Sequence, residues 1–203
     1  IIFGIKGFKL SSEERHLLRT AKPWGVILFS RNIKNLFQLK FLVNDIKNII
    51  RDKKYPILID QEGGRVSRLN KIINFNLFSQ NYFGKLYKAD KKTFSYYYKN
   101  YINKVCDLFK NVGININTVP VLDIRKKTGH KIIGDRSFSS DPLIVSKAGS
   151  FCINSYKENK IATVVKHIPG HGLSTLDSHF DLPVVNAKKK DLIKKDFKPF
   201  KTC

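Results

Sequence analysis

An aspartate and a histidine two residues apart, Asp177 and His179, close the stretch VVKHIPGHGLSTLDSH at residues 164–179. In an extended segment alternate side chains point the same way, so this pair can hydrogen-bond. A histidine oriented by a carboxylate has a defined tautomer and a titration range suited to moving protons near neutral pH. The same stretch carries Lys166, His167 and His171, and Pro169, Gly170 and Gly172 force it into a loop. Three chemistries fit these residues. One is acid/base work by Asp177 and His179. The second is a zinc site using His167, His171, His179 and Asp177, all acceptable ligand types, although the helical HExxH spacing is absent and Gly and Pro break any helix there. The third makes each histidine a hydrogen-bonder of its loop.

Two further stretches carry chemistry. DQEGGRVSRL (residues 60–69) sets Asp60, Glu62, Arg65 and Arg68 around a Gly pair. Gly63 and Gly64 can take backbone conformations closed to other residues and let a ligand approach the chain. A sharp turn held by a Glu62–Arg65 ion pair fits the same residues equally well. The phosphate-cradling pattern GxxxxGK[ST] is absent. In IIGDRSF (residues 132–138) the planar fork of Arg136 suits hydroxyls or a carboxylate, while a plain surface arginine is the commoner case.

These groups must be positioned by regular elements, and the chain alternates short apolar runs with helical patterns, the signature of βα units building a parallel sheet. Strands are predicted at residues 1–5, 25–29, 55–60, 114–120 and 162–167. Their nearly continuous apolarity says that both faces are covered. Ser11 with Glu14 forms a capping box, and Asp141 followed by Pro142 starts another helix. Leu36, Leu39, Leu42, Val43, Ile46 and Ile50 mark a third helix, and Tyr98, Tyr101, Ile102, Val105, Leu108, Phe109 and Val112 a fourth. A Lys-rich helix is expected at residues 188–198, with Asp191 and Asp196 on its solvated face. Asp60, Lys166 and His167 end strands and Asp123 follows one, and in parallel α/β proteins the C-terminal strand ends are where ligands are handled.

The 203 residues suffice for one domain with a sizeable core. A net charge of +22 attracts polyanions non-specifically, but the lysines are spread along the chain, and no zinc-finger, glycine-clamp or RNA-platform signature marks a specific nucleic-acid site. Cys106, Cys152 and Cys203 are far apart and form no CxxC pair, which favours a reducing compartment. No apolar run approaches the ~18 residues of a membrane span, and the start lacks the shape of a signal peptide, so a cytoplasmic location is expected. The sequence contains no Met, and its N-terminus is read as trimmed or incomplete.

Taken together, IDQEGGRVSRL, PVLDI, IGDRSF and KHIPGHGLSTLDSH closely resemble the family-three glycoside hydrolases, in particular the bacterial β-N-acetylglucosaminidases of cell-wall recycling. The resemblance runs along essentially the whole chain. It implies a (β/α)8 TIM-type barrel and an exo-acting, retaining hydrolase that removes terminal β-linked N-acetylglucosamine from muropeptides, with no metal and no cofactor. Carried onto this sequence, it makes His179 the proton donor and acceptor and Asp177 the residue that orients it. Asp60, Arg68, Arg136, Lys166 and His167 match positions that grip sugar hydroxyls.

The family's nucleophile is an Asp in an SDD-like motif, and none follows His179 here. Residues 1–203 are therefore expected to form one incomplete barrel domain of about five βα units, cut before the nucleophile-bearing strand and inactive alone. Gly4 also stands where relatives often have an acidic residue. A related β-glycosidase or sugar phosphorylase, and a non-catalytic sugar- or polyanion-binding module, are the alternative readings. The oligomeric state is left open.

Overall fold

The computed structural model describes residues 1–126, 132–174 and 182–203. Five strands, β1 (Ile2–Gly4), β2 (Gly25–Leu28), β3 (Ile57–Ile59), β4 (Ile116–Asn117) and β5 (Ala162–Thr163), form one sheet in sequence order. Every neighbouring pair is parallel, with Val26 beside Ile57, Leu58 beside Ile116 and Asn117 beside Thr163. All five lie inside the predicted apolar runs. The strands are shorter than those runs, and Asp60, Thr118 and Lys166, in the residues just beyond them, line the site.

Helices α1 (Ser12–Thr20), α2 (Leu36–Ile50), α3 (Gln80–Ala89), α4 (Lys91–Val112) and α5 (Pro142–Glu158) fill the crossovers. Ser11 and Glu14 make the expected reciprocal cap, and Asp141 caps α5 ahead of Pro142. The apolar stripe of α2 buries Leu39, Leu42, Val43 and Ile46, and that of α4 buries Tyr98, Tyr101, Ile102, Val105, Phe109 and Val112. Burial of this kind stabilises by about 1.5–3 kcal/mol per large apolar side chain. One continuous apolar cluster joins β2, β3 and the residues flanking β4 and β5 to all five helices, and Phe83, Phe94, Tyr98 and Tyr101 pack ring against ring within it.

The Lys-rich end departs from expectation. It forms two short helices, α6 (Lys189–Lys194) and α7 (Lys198–Thr202), not one. Pro199, in the first turn of α7, cannot continue a preceding helix. Asp196, expected on a solvated face, is 3% exposed, because the break turns it inward against Gly170. Burial pushes its carboxyl above the usual range, partly opposed by Lys126. No described helix is long and apolar enough to cross a membrane.

Candidate active site

The pocket starts where the strands stop. Asp60 follows β3 directly and Thr118 follows β4 directly, while Lys166 lies three residues beyond β5. After a break the β4–β5 pairing resumes: Val121 bridges to Lys166, and the Leu122 N–H donates to the Lys166 carbonyl at 2.7 Å. This carries Lys166 over the sheet end towards Asp60. The Asn117 side chain ties β4 to the segment after β3, accepting from the Gln61 N–H and donating to the Gln61 carbonyl, both at 3.0 Å. Gln61 in turn accepts from the N–H groups of Arg68 and Leu69, closing the 60–69 turn on itself.

That turn needs its glycines. Gly63 and Gly64 have φ of 87° and 57°, and a Cβ on Gly63 would sit 2.2 Å from the Phe78 carbonyl oxygen. The tight turn lets Glu62 point inward. Its side chain is 1% exposed, and it does not pair with Arg65, as the plain-turn reading expected. Arg65 instead bonds Asp135 at 2.8 Å, while Glu62 takes a two-point bond from Arg136 (Nε to Oε2 2.8 Å, Nη2 to Oε1 2.9 Å). Lys166 Nζ reaches Glu62 Oε1 at 2.7 Å, and Asp60 Oδ1 and Thr118 Oγ1 at 3.0 Å each. The Thr118 hydroxyl itself donates to Asp60. Arg68 Nη2 lies 3.4 Å from Asp60 Oδ2 and its guanidinium lies over the Phe29 ring, while its Nε is buried without a partner.

These pairs set the charges. Burial pushes the Asp60 and Glu62 carboxyls up, but Lys166 and Thr118 at Asp60, and Arg136 and Lys166 at Glu62, outweigh it and hold both below their usual range. Burial works against the Arg136 cation, and Glu62 overcomes that and raises its pKa. Arg136 is no surface arginine. Gln80 anchors its backbone, donating at 2.8 Å to the Arg136 carbonyl and at 2.9 Å to that of Val121.

His167 forms the far wall. Its Nδ1 lies 2.6 Å from Asp123 Oδ2 and its Nε2 lies 3.3 Å from Arg136 Nη2. The backbone around it holds cis peptide bonds at Lys166–His167 and Ile168–Pro169. Asp60, Glu62, Arg68, Thr118, Arg136, Lys166 and His167 line one cavity of about 540 Å³. A larger one, about 750 Å³, lies over α1 and α2, far from these groups, and holds the Arg15–Asp45 ion pair.

The five residues expected to grip a sugar thus meet in one place. Asp177 and His179 lie outside the described residues. Glu62, Thr118 and Asp123 join the site although none of them was expected to grip the sugar. Glu62 stands in the DQEGGRVSRL stretch and Asp123 just after a strand, while no motif marks Thr118. Among the described residues no group of three or more His, Cys, Asp or Glu could hold a metal ion.

Interleaved fixed donors and acceptors at the carboxyl ends of consecutive parallel strands define a TIM-barrel-like α/β domain suited to a ligand rich in hydroxyls. Comparison with known proteins gives the family: residues 3–203 match the model of the glycosyl hydrolase family 3 N terminal domain, and the chain belongs to that family. A beta-hexosaminidase of Hydrogenovibrio crunogenus is 32% identical over 98% of this chain and 55% of its own length. One of Tolumonas auensis is 34% identical over 99% of this chain and 58% of its own. The chain therefore spans little more than half the length of these relatives. The crystal structure of NagZ from Neisseria gonorrhoeae in complex with N-trifluoroacetyl-D-glucosamine superposes with a TM-score of 0.89 at 29% identity, covering 100% of this chain and 59% of that one.

Proposed function

We propose that this chain is the sugar-binding part of a retaining β-N-acetylglucosaminidase that removes terminal N-acetylglucosamine from muropeptides. The observation that carries the reading is the convergence of Asp60, Lys166, Arg136 and His167 on one cavity in a member of this family. Beta-hexosaminidase relatives and the N-trifluoroacetyl-D-glucosamine complex of a structural neighbour support the sugar class.

In this reading Asp60 accepts hydrogen bonds from hydroxyls of the terminal sugar, and Arg68, Arg136 and Lys166 donate to its oxygens. Each cation is already held by a carboxylate, so the sugar meets fixed dipoles and little is lost in ordering the site. His179, oriented by Asp177, gives its proton to the glycosidic oxygen as the bond breaks, then takes one from the water that releases the sugar. Retention also requires a carboxylate that bonds the anomeric carbon between the two steps. No SDD-like stretch follows His179 in these residues. Residues 1–203 in this reading supply the groups of the barrel that hold the sugar. Two buried and one exposed free cysteine fit a reducing compartment such as the cytoplasm.

Titration calorimetry with N-acetylglucosamine tests the binding. Lys166→Ala and Arg136→Ala should each weaken it by about tenfold or more, the loss expected on removing a hydrogen bond from a charged donor. Equal binding by both folded variants, or none by the unmutated protein, would remove the assignment of this cavity.

A further inference from the structure

Asp123 sits beneath the pocket with a fully buried side chain. Its oxygens accept at both ends of the KHIPGH stretch: Oδ2 is 3.3 Å from the His167 N–H and 2.6 Å from His167 Nδ1, and Oδ1 is 2.6 Å from the His171 N–H. Its own carbonyl accepts from the Ser137 hydroxyl at 2.6 Å, which anchors its backbone. We propose that Asp123 is the positioning residue that sets the tautomer of His167 and so makes Nε2 the acceptor the pocket offers a sugar hydroxyl. This rests on the sugar-binding reading above.

The argument is one of donors and acceptors. An ionised carboxylate only accepts, so the ring nitrogen facing Asp123 carries the proton. On the opposite side, Nε2 faces Arg136 Nη2 at 3.3 Å, and a guanidinium only donates. The two-point bond to Glu62 keeps Arg136 from turning away. Both neighbours therefore ask for the same state, Nδ1–H with a lone pair on Nε2. His167 lines the cavity, where a hydroxyl can donate to Nε2 while accepting from Arg136.

Both carboxylate oxygens of Asp123 are engaged as acceptors, Oδ2 by two donors and Oδ1 by one. An amide there would turn its NH2 towards His167 or towards the His171 N–H, setting donor against donor. If it faced His167 it would favour the Nε2–H tautomer, which points a second donor at Arg136. The bond to the His171 N–H also fixes the far end of the stretch, ahead of residues 175–181 that include Asp177 and His179. Asp123 thus ties the sugar pocket to the segment leading into the proposed proton donor.

Nitrogen-15 NMR of histidine-labelled protein tests this without any sugar, with the His167 ring assigned by the signals lost in His167→Gln. The expected result is a protonated Nδ1 and a lone-pair Nε2, and the reverse tautomer would overturn the proposal. The folded Asp123→Asn variant should bind N-acetylglucosamine about tenfold more weakly or worse and lose the Nδ1–H signature. Unchanged tautomer and affinity in that variant would also overturn it. Should the unmutated protein bind no N-acetylglucosamine, the sugar reading falls, and the tautomer alone decides whether Asp123 sets the His167 ring.

Discussion

Glu62 shows how charge is balanced at single residues of this pocket. It is buried and touches both Arg136 and Lys166. Removing one member of a buried ion cluster leaves its partners uncompensated and costs about 3–5 kcal/mol. Glu62→Gln should therefore lower the thermal midpoint by about 10 °C, the shift expected for a domain of this size. Calorimetry reads the outcome, and an unchanged midpoint would mean that the two cations find other partners. The pH dependence has a definite sign. Asp60 and Glu62 are more acidic folded than unfolded, so their contribution is full above the unfolded carboxylate range. It is lost as pH falls through about 4.5 towards the lower folded values. Urea midpoints should hold from pH 7 to about 5.5, drop below about 4.5, and drop less steeply in Glu62→Gln. The spacing of DQEGGRVSRL displays these charges but not their pairing. Arg136, which displaces Arg65 as the partner of Glu62, is 74 residues away in sequence.

At the scale of elements, local signals carry far. The capping box at Ser11 and Glu14 is complete, and Glu14 Oε1 also accepts from the Lys6 N–H at 2.7 Å, joining the segment after β1 to α1. Ser11→Ala should cost about 1 kcal/mol, a typical loss for an N-cap. That would appear as a fall of about 2–4 °C in thermal midpoint. A loss below a few tenths of a kcal/mol would show that packing of α1 carries the helix without its cap. The stripes of α2 and α4 were legible because burial follows the 3.6-residue period wherever one face packs on a sheet. The Lys-rich end was not. There the charged period suggested one solvated helix, while Pro199 and the inward turn of Asp196 divide it in two.

The whole molecule carries a net charge of +22, and that excess acts at long range where the pocket's pairs do not. Binding to a random-sequence DNA duplex should be weak and fall steeply between about 50 and 200 mM salt, as counterion release requires. Fluorescence anisotropy across that range checks it, and salt-insensitive binding would show that the charge excess does not drive it. Among the described residues β1 and β5 each pair with one neighbouring strand only. The sequence by itself determined the alternation of strands and helices, the helix starts and the placing of Asp60, Lys166 and His167 after strands. These depend on periodicity and on capping chemistry within a few residues. Only the tertiary structure decided that Glu62 binds Arg136 and Lys166, that Thr118 completes the Asp60 cluster and that Asp123 holds both ends of the KHIPGH stretch. Those partners come from different βα units, and a contact across strands leaves no period in the chain for a sequence to display.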